Sequence, residues 1–134
     1  MRRVVITGLG ILSPIGNNKE EIKDAFYNKD SGVVFIEEWQ KIKGLRSFVG
    51  GTIKNLDDKI LDRKVRRSMG KLSVFNTIAA KNAIEDSGIS EEILHSGRCG
   101  CAAASTIGSP QAFEDFFYEL IVNKSIEQIP SMTF

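Results

Sequence analysis

The chain has 134 residues, 42% of them hydrophobic and 26% charged, with a formal net charge of +1. That length suits one domain with its own core, and that composition excludes a disordered or fibrous chain. A nearly neutral chain offers no whole-molecule field for nucleic acid or a membrane surface, so charged recognition has to be local.

The opening Met1-Arg2-Arg3-Val4-Val5-Ile6-Thr7-Gly8 is too short in its apolar part for a signal peptide. No window approaches the roughly 20 apolar residues of a bilayer-spanning helix. A cytoplasmic protein is the expectation, with Cys99 and Cys101 as reduced thiols rather than a disulfide framework.

In chain order, Val4 to Thr7 is a β-branched run closed by Gly8-Leu9-Gly10 and reads as a buried strand ending in a tight turn. Asn18 with Glu21 three residues on resembles a capping box, and Ile22, Ala25 and Phe26 recur at helical spacing, so a short helix is expected from about Lys19 to Tyr27. Ser31-Gly32 should break it. Val33-Val34-Phe35-Ile36 is short enough to favour an extended segment. Glu37 to Asn55 mixes Trp39, Ile42 and Phe48 with three glycines and gives no clear pattern.

From Ser68 to Ser87 a helical stripe of Leu72, Phe75, Ala79 and Ala83 is widened by Val74, Ile78 and Ala80, which predicts a helix buried on more than one side, with Gly88 as its left-handed terminator. Arg98 to Ser105 is small, apolar and glycine-bearing, and reads as a central strand packed tightly against neighbours. Ser109 and Pro110 then open a helix whose Phe113, Phe116, Phe117, Leu120 and Ile121 form one apolar face opposite Glu114, Asp115 and Glu119. The pattern fades after Lys124. Strands alternating with helices imply an α/β layered architecture.

Candidate chemistry is sparse. Gly8-Leu9-Gly10 after a strand suggests a phosphate loop, but Ser13 replaces the third glycine and Pro14 follows where a helix should start. Cys101 at a strand end could act as a nucleophile, yet Cys99 and Cys101 face the same side of such a strand, where small buried side chains are usual. The one histidine, His95, lies in a polar stretch with no reason to meet Cys101 as a base, and neither motif has metal-site spacing. Arg63-Lys64-Val65-Arg66-Arg67, with Lys59 and Lys71 nearby, is the concentrated basic segment. It is either a docking surface for an acidic partner or a solvated helix face.

These residues resemble a family. Arg3-Val4-Val5-Ile6-Thr7-Gly8-Leu9-Gly10-Ile11-Leu12-Ser13-Pro14-Ile15-Gly16-Asn17 is similar to the amino-terminal signature of the elongating β-ketoacyl-acyl-carrier-protein synthases. Asp62-Arg63-Lys64 with Arg67 and Met69, then Ala83-Ile84-Glu85-Asp86-Ser87-Gly88, then Ser105-Thr106-Ile107-Gly108-Ser109-Pro110 resemble further landmarks in the same order. Gly16-Asn17-Asn18 and Asp62-Arg63-Lys64 look closest to the type I branch. The resemblance implies a layered thiolase-like α/β fold, of which residues 1–134 would be an incomplete amino-terminal part within one domain. It also implies a homodimer that extends fatty-acyl chains by decarboxylative Claisen condensation on acyl carrier protein, without cofactor, metal, nucleic acid or membrane.

The family's nucleophilic cysteine, two histidines and lysine come later than the segment matched by Ser131-Met132-Thr133-Phe134. The chain alone is therefore expected to be inactive and to hold none of the catalytic groups. Cys101 corresponds to an ordinary strand position. Arg63, Lys64 and Arg67 correspond to positions that meet the carrier protein, and Ile107 to the wall of the acyl pocket. Ile107 is glycine in most type I and isoleucine in type II synthases, so this position departs from the branch the rest indicates. Ala104 and Thr106 replace family glycines and tighten the same loop. A self-standing, non-catalytic carrier-protein-binding module is the alternative reading.

Overall fold

The computed structural model of the chain describes residues 3–127 and 129. The closing Ser131-Met132-Thr133-Phe134 and the opening Met1-Arg2 lie outside the described residues. The chain divides into two compact units, Met1–Asp57 with Asn82–Gly88, and Asp58–Lys81 with Ile89–Phe134.

In the first unit, helix α1 spans Lys19–Asn28 and begins where the sequence predicts. Asn18 Oδ1 accepts from Glu21 N at 2.9 Å, while Glu21 Oε2 reaches back to Asn17 N at 2.7 Å. The reciprocal half of the capping box is thus shifted one residue upstream. Ile22 and Ala25 are buried on its inner face. The helix ends before Ser31-Gly32, because Lys29 turns into the left-handed region at φ 60° and its N–H bonds back to Phe26 O at 3.2 Å.

Strand β1, Val33–Phe35, pairs antiparallel with β2, Val49–Gly51, in the register Val33 to Gly51, Val34 to Gly50 and Phe35 to Val49. The extended reading of 33–36 holds. Glu37–Lys41 forms a 3-10 turn between the strands, placing the Trp39 ring against Gly50. The sequence pattern did not show this hairpin because its second strand is two-thirds glycine, a residue with little strand preference.

The expected strand Val4 to Thr7 is not one. Residues 3–12 form no ladder, and Val4 is 96% exposed. A β-branched run becomes a strand only when a neighbour takes its N–H and C=O groups. Among the described residues no strand pairs with it. Gly8 has a steric role instead: a Cβ there would lie 2.6 Å from Ser87 N and would also collide with Ala83 O, so only glycine lets the chain pass this close to a helix backbone.

In the second unit, Asp62 caps the short helix α2, Arg63–Arg66, its Oδ1 accepting from Lys64 N at 2.7 Å. Leu61 beside it is buried. Helix α3, Lys71–Ser87, belongs to this unit as far as Lys81 and to the first unit from Asn82; it starts three residues later than the pattern suggested and ends at Gly88, whose φ of 62° confirms the left-handed terminator. Its packing is narrower than expected: Val74 and Ile78 are buried, Leu72, Phe75, Ala79 and Ala83 are half-buried, and Ala80 is exposed. Helix α4, Glu91–Leu94, is capped by Ser90 Oγ, which accepts from Ile93 N at 3.4 Å.

Arg98 to Ser105 is likewise not a strand and is exposed throughout. It meets the same fate as Val4 to Thr7, since a central strand needs flanking strands that the described residues do not supply. Helix α5, Pro110–Phe117, follows with Pro110 in its first turn and Ser109 at the N-cap, although the Ser109 side chain makes no capping bond. The helical path continues as a π turn over Tyr118–Val122, which shifts the register of the expected stripe. Phe113, Phe117, Leu120 and Ile121 are all exposed.

Candidate functional site

The second unit holds both segments singled out from the sequence. In α2, Arg63 and Lys64 stand in the first turn and Arg67 at the C-cap, and all three are exposed. Arg67 N bonds to Arg63 O at 3.1 Å, so the expected i, i+1, i+4 helical spacing is present. Arg66 behaves differently: its guanidinium pairs with Asp58 Oδ1 at 2.5 Å. One cation of the run is thereby committed to the fold, and the other three face outward.

Three residues beyond Arg67, Gly70 backs onto Ser109, where a Cβ would lie 3.0 Å from Ser109 Oγ. This contact places the Ser105–Ser109 loop beside the end of the basic segment. Ser105 Oγ accepts from Gly108 N at 2.9 Å, and Gly108 has φ 77°, closing a tight turn. Ile107 sits on that turn with 67% of its surface exposed.

Cys99 and Cys101 are free and exposed rather than packed in a strand. Cys99 Sγ donates to Ile93 O at 3.3 Å. His95 is exposed and bonds to Glu91 Oε2 at 3.1 Å, not to a thiol. Among the described residues no group of three His, Cys, Asp or Glu could hold a metal ion, and no helix is long and apolar enough to cross a membrane.

In the first unit, a polar cleft of about 530 Å³ runs past Ser13, Asn17, Asp24 and Lys54. A polar anchor was missed from the sequence. Asp86 Oδ2 accepts from Leu9 N at 2.9 Å, and Asp86 Oδ1 pairs with Lys19 Nζ. The hydrogen bond from Lys19, with that from Leu9 N, holds the Asp86 carboxyl below its ordinary value, and Asp86 in turn raises the Lys19 ammonium. Its position was the available signal: Asp86 lies in the last turn of α3, where the helix dipole disfavours an anion unless something else holds it. Gly8-Leu9-Gly10 accordingly carries packing and this anchor instead of a phosphate cradle.

Comparison with known proteins places this geometry. Residues 1–131 match the family Beta-ketoacyl synthase, N-terminal domain. The chain is 40% identical over 109 residues to 3-oxoacyl-[acyl-carrier-protein] synthase 1 of Haemophilus influenzae, covering 81% of this chain and 27% of that protein. With the synthase 1 of Escherichia coli it shares 41% over 112 residues, covering 83% and 27%. Identity to the synthase 2 of Vibrio cholerae is lower, 34% over 121 residues, covering 90% and 29%. This order agrees with the type I likeness of Gly16-Asn17-Asn18 and Asp62-Arg63-Lys64. The crystal structure of a beta-ketoacyl synthase from Burkholderia phymatum superposes with a TM-score of 0.85 at 28% identity, over 99% of this chain and 33% of that one. The α/β fold is thus the amino-terminal part of the layered thiolase-like fold, and the chain spans about 27% of the length of the synthase 1 relatives. By the match over residues 1–131, the chain belongs to the β-ketoacyl synthase family.

Proposed function

We propose that this chain is an amino-terminal fragment of the β-ketoacyl synthase domain of a 3-oxoacyl-acyl-carrier-protein synthase. The whole enzyme would be cytoplasmic and homodimeric, and would extend fatty-acyl chains by decarboxylative Claisen condensation. The family match over residues 1–131 carries this reading. Within that enzyme Arg63, Lys64 and Arg67 receive the acidic carrier protein, and Ile107 walls the acyl pocket. Support comes from the outward cations of α2 and from Gly70 backing onto Ser109, which sets the Ile107 loop next to the docking segment.

The residues of this chain do not perform the condensation themselves. Covalent catalysis requires a nucleophile with an activating base, and His95, the one histidine, is engaged with Glu91. The chain's contribution is to bring the carrier to the pocket mouth and to shape that mouth. The same cations would serve a non-catalytic carrier-binding module equally well.

A chimera separates the two readings. Residues 1–131 replace the matching segment of the Escherichia coli synthase 1, and condensation of acyl and malonyl carrier proteins is measured. An active chimera is expected. A folded, dimeric chimera that binds carrier protein but does not condense would favour the binding module.

A further inference from the structure

Residues 63–67 carry four cations, but only three of them share one face of α2. At about 100° of turn per residue, Arg63, Lys64 and Arg67 fall within an arc of about 100°, and Arg66 lies about 60° outside it on the Arg63 side. Asp58 holds Arg66 there, its Oδ1 lying 2.5 Å from the guanidinium. Asp58 is itself fixed. It opens the 3-10 turn Asp58–Ile60, and its carbonyl accepts from the N–H of buried Leu61 at 3.2 Å. Lys81 Nζ, on α3, donates to Ile60 O at 3.2 Å and ties the same turn down. These contacts lie between Asp58 and Lys81, within the second unit. A carboxylate built into the chain next to Arg66 has an effective concentration of order mM or more, so it competes with any arriving carboxylate. A partner that reached Arg66 would exchange one ion pair for another, with little net gain.

We infer that Asp58 tunes the carrier-docking surface: by pairing with Arg66 it withholds one cation and limits the negative charge that α2 engages on its partner. This inference rests on the docking reading proposed above. Removing the Asp58 charge releases Arg66, whose long side chain can then turn toward Arg63, and the cationic arc widens from about 100° to about 160°. An acidic partner gains a fourth contact. Withholding a cation favours a partner whose acidic patch matches three charges over a more acidic competitor, which is how specificity is set by what is left out as well as by what is offered.

The test is a double-mutant cycle in the chimera. Affinity for acyl carrier protein is measured across a salt series for the parent, Asp58→Asn, Arg66→Ala and the two combined. Asp58→Asn should strengthen binding by up to roughly fivefold, the ceiling for one exposed ion pair, and should steepen the salt dependence. In the Arg66→Ala background the same substitution should have little effect, and Asp58→Glu, which keeps a carboxylate for Arg66, should stay close to the parent. A gain as large without Arg66 as with it would show that Asp58 acts through its own charge and would overturn the inference. So would Asp58→Asn binding no more tightly than the parent. Failure of the docking reading is seen separately: it leaves Arg63→Ala, Lys64→Ala and Arg67→Ala combined at the parent affinity, whereas failure of this inference alone leaves that triple variant weakened.

Discussion

Replacing Arg63, Lys64 and Arg67 together with alanine in the chimera removes the three outward cations of α2 while keeping the Asp62 cap and introducing good helix formers. Because all three are exposed, each pairing with a carrier carboxylate is worth about 0.2–1 kcal/mol. Together they contribute no more than about 3 kcal/mol, which at about 1.4 kcal/mol per decade corresponds to weakening by between roughly threefold and roughly a hundredfold. Exposed charges act through encounter rate, so the salt dependence of binding should flatten with the affinity. Arg66→Ala provides the contrast, since Arg66 is already paired with Asp58 and its loss should weaken carrier binding less than any one of the others. Affinity for acyl carrier protein is measured across a salt series, with circular dichroism to confirm the helix content. A triple variant with the affinity and salt slope of the parent would show α2 to be a solvated face and refute the docking role.

In the same chimera Ile107→Gly should open the acyl pocket and raise the ratio of condensation rates for long over short primers; an unchanged ratio would remove Ile107 from the pocket. The purified chain should not take an acyl group from acyl carrier protein, and Cys101→Ala should leave that result unchanged; stable acylation at Cys101 would contradict this. Exposed Val4, Phe113, Phe117 and Ile121 should drive concentration-dependent self-association of the isolated chain, and sedimentation as a stable monomer would count against it. The Asp86 anchor predicts a pH dependence: its folded pKa is depressed, so its stabilisation is full above the ordinary value of 3.8 and is lost as pH falls through the folded value. Asp86→Asn should therefore lower the urea midpoint at neutral pH and match wild type in strong acid, and a gap independent of pH would exclude the mechanism.

What was legible in the sequence is local. Asn18 with Glu21, Gly88, and Ser109 with Pro110 located helix ends to within a few residues, because caps and terminators act through groups only a few positions apart. Val4 to Thr7 and Arg98 to Ser105 misled for the opposite reason. Their composition suits a buried sheet, but a strand is defined by neighbours that the described part of this chain does not contain. For the candidate site, charge patterning marked the whole basic run, resemblance to the family singled out Arg63, Lys64 and Arg67 within it, and pattern alone gave no reason to set Arg66 apart. That distinction depends on Asp58, eight residues before Arg66, being folded back within reach. Ile107 was reached through resemblance to the family, since nothing in its own neighbours marks it. The Lys19–Asp86 pair, separated by 67 positions, was beyond any local pattern.

The bond between Leu9 N and Asp86 also orders events in time. It closes a span of 77 residues. At a synthesis rate of about 5–20 residues per second, Asp86 is made roughly 4–15 seconds after Leu9, and must then clear the ribosome before the bond can form. Over that interval helix α1 can form and be capped by Asn18 and Glu21 from its own neighbourhood, but Lys19 and the backbone at Leu9 wait for their carboxylate. The backbone at Leu9 is therefore anchored later than helix α1, although it precedes that helix in the chain. A nascent chain stalled before Asp86 would hold a capped α1 while Leu9 N and the Lys19 ammonium still lack their carboxylate.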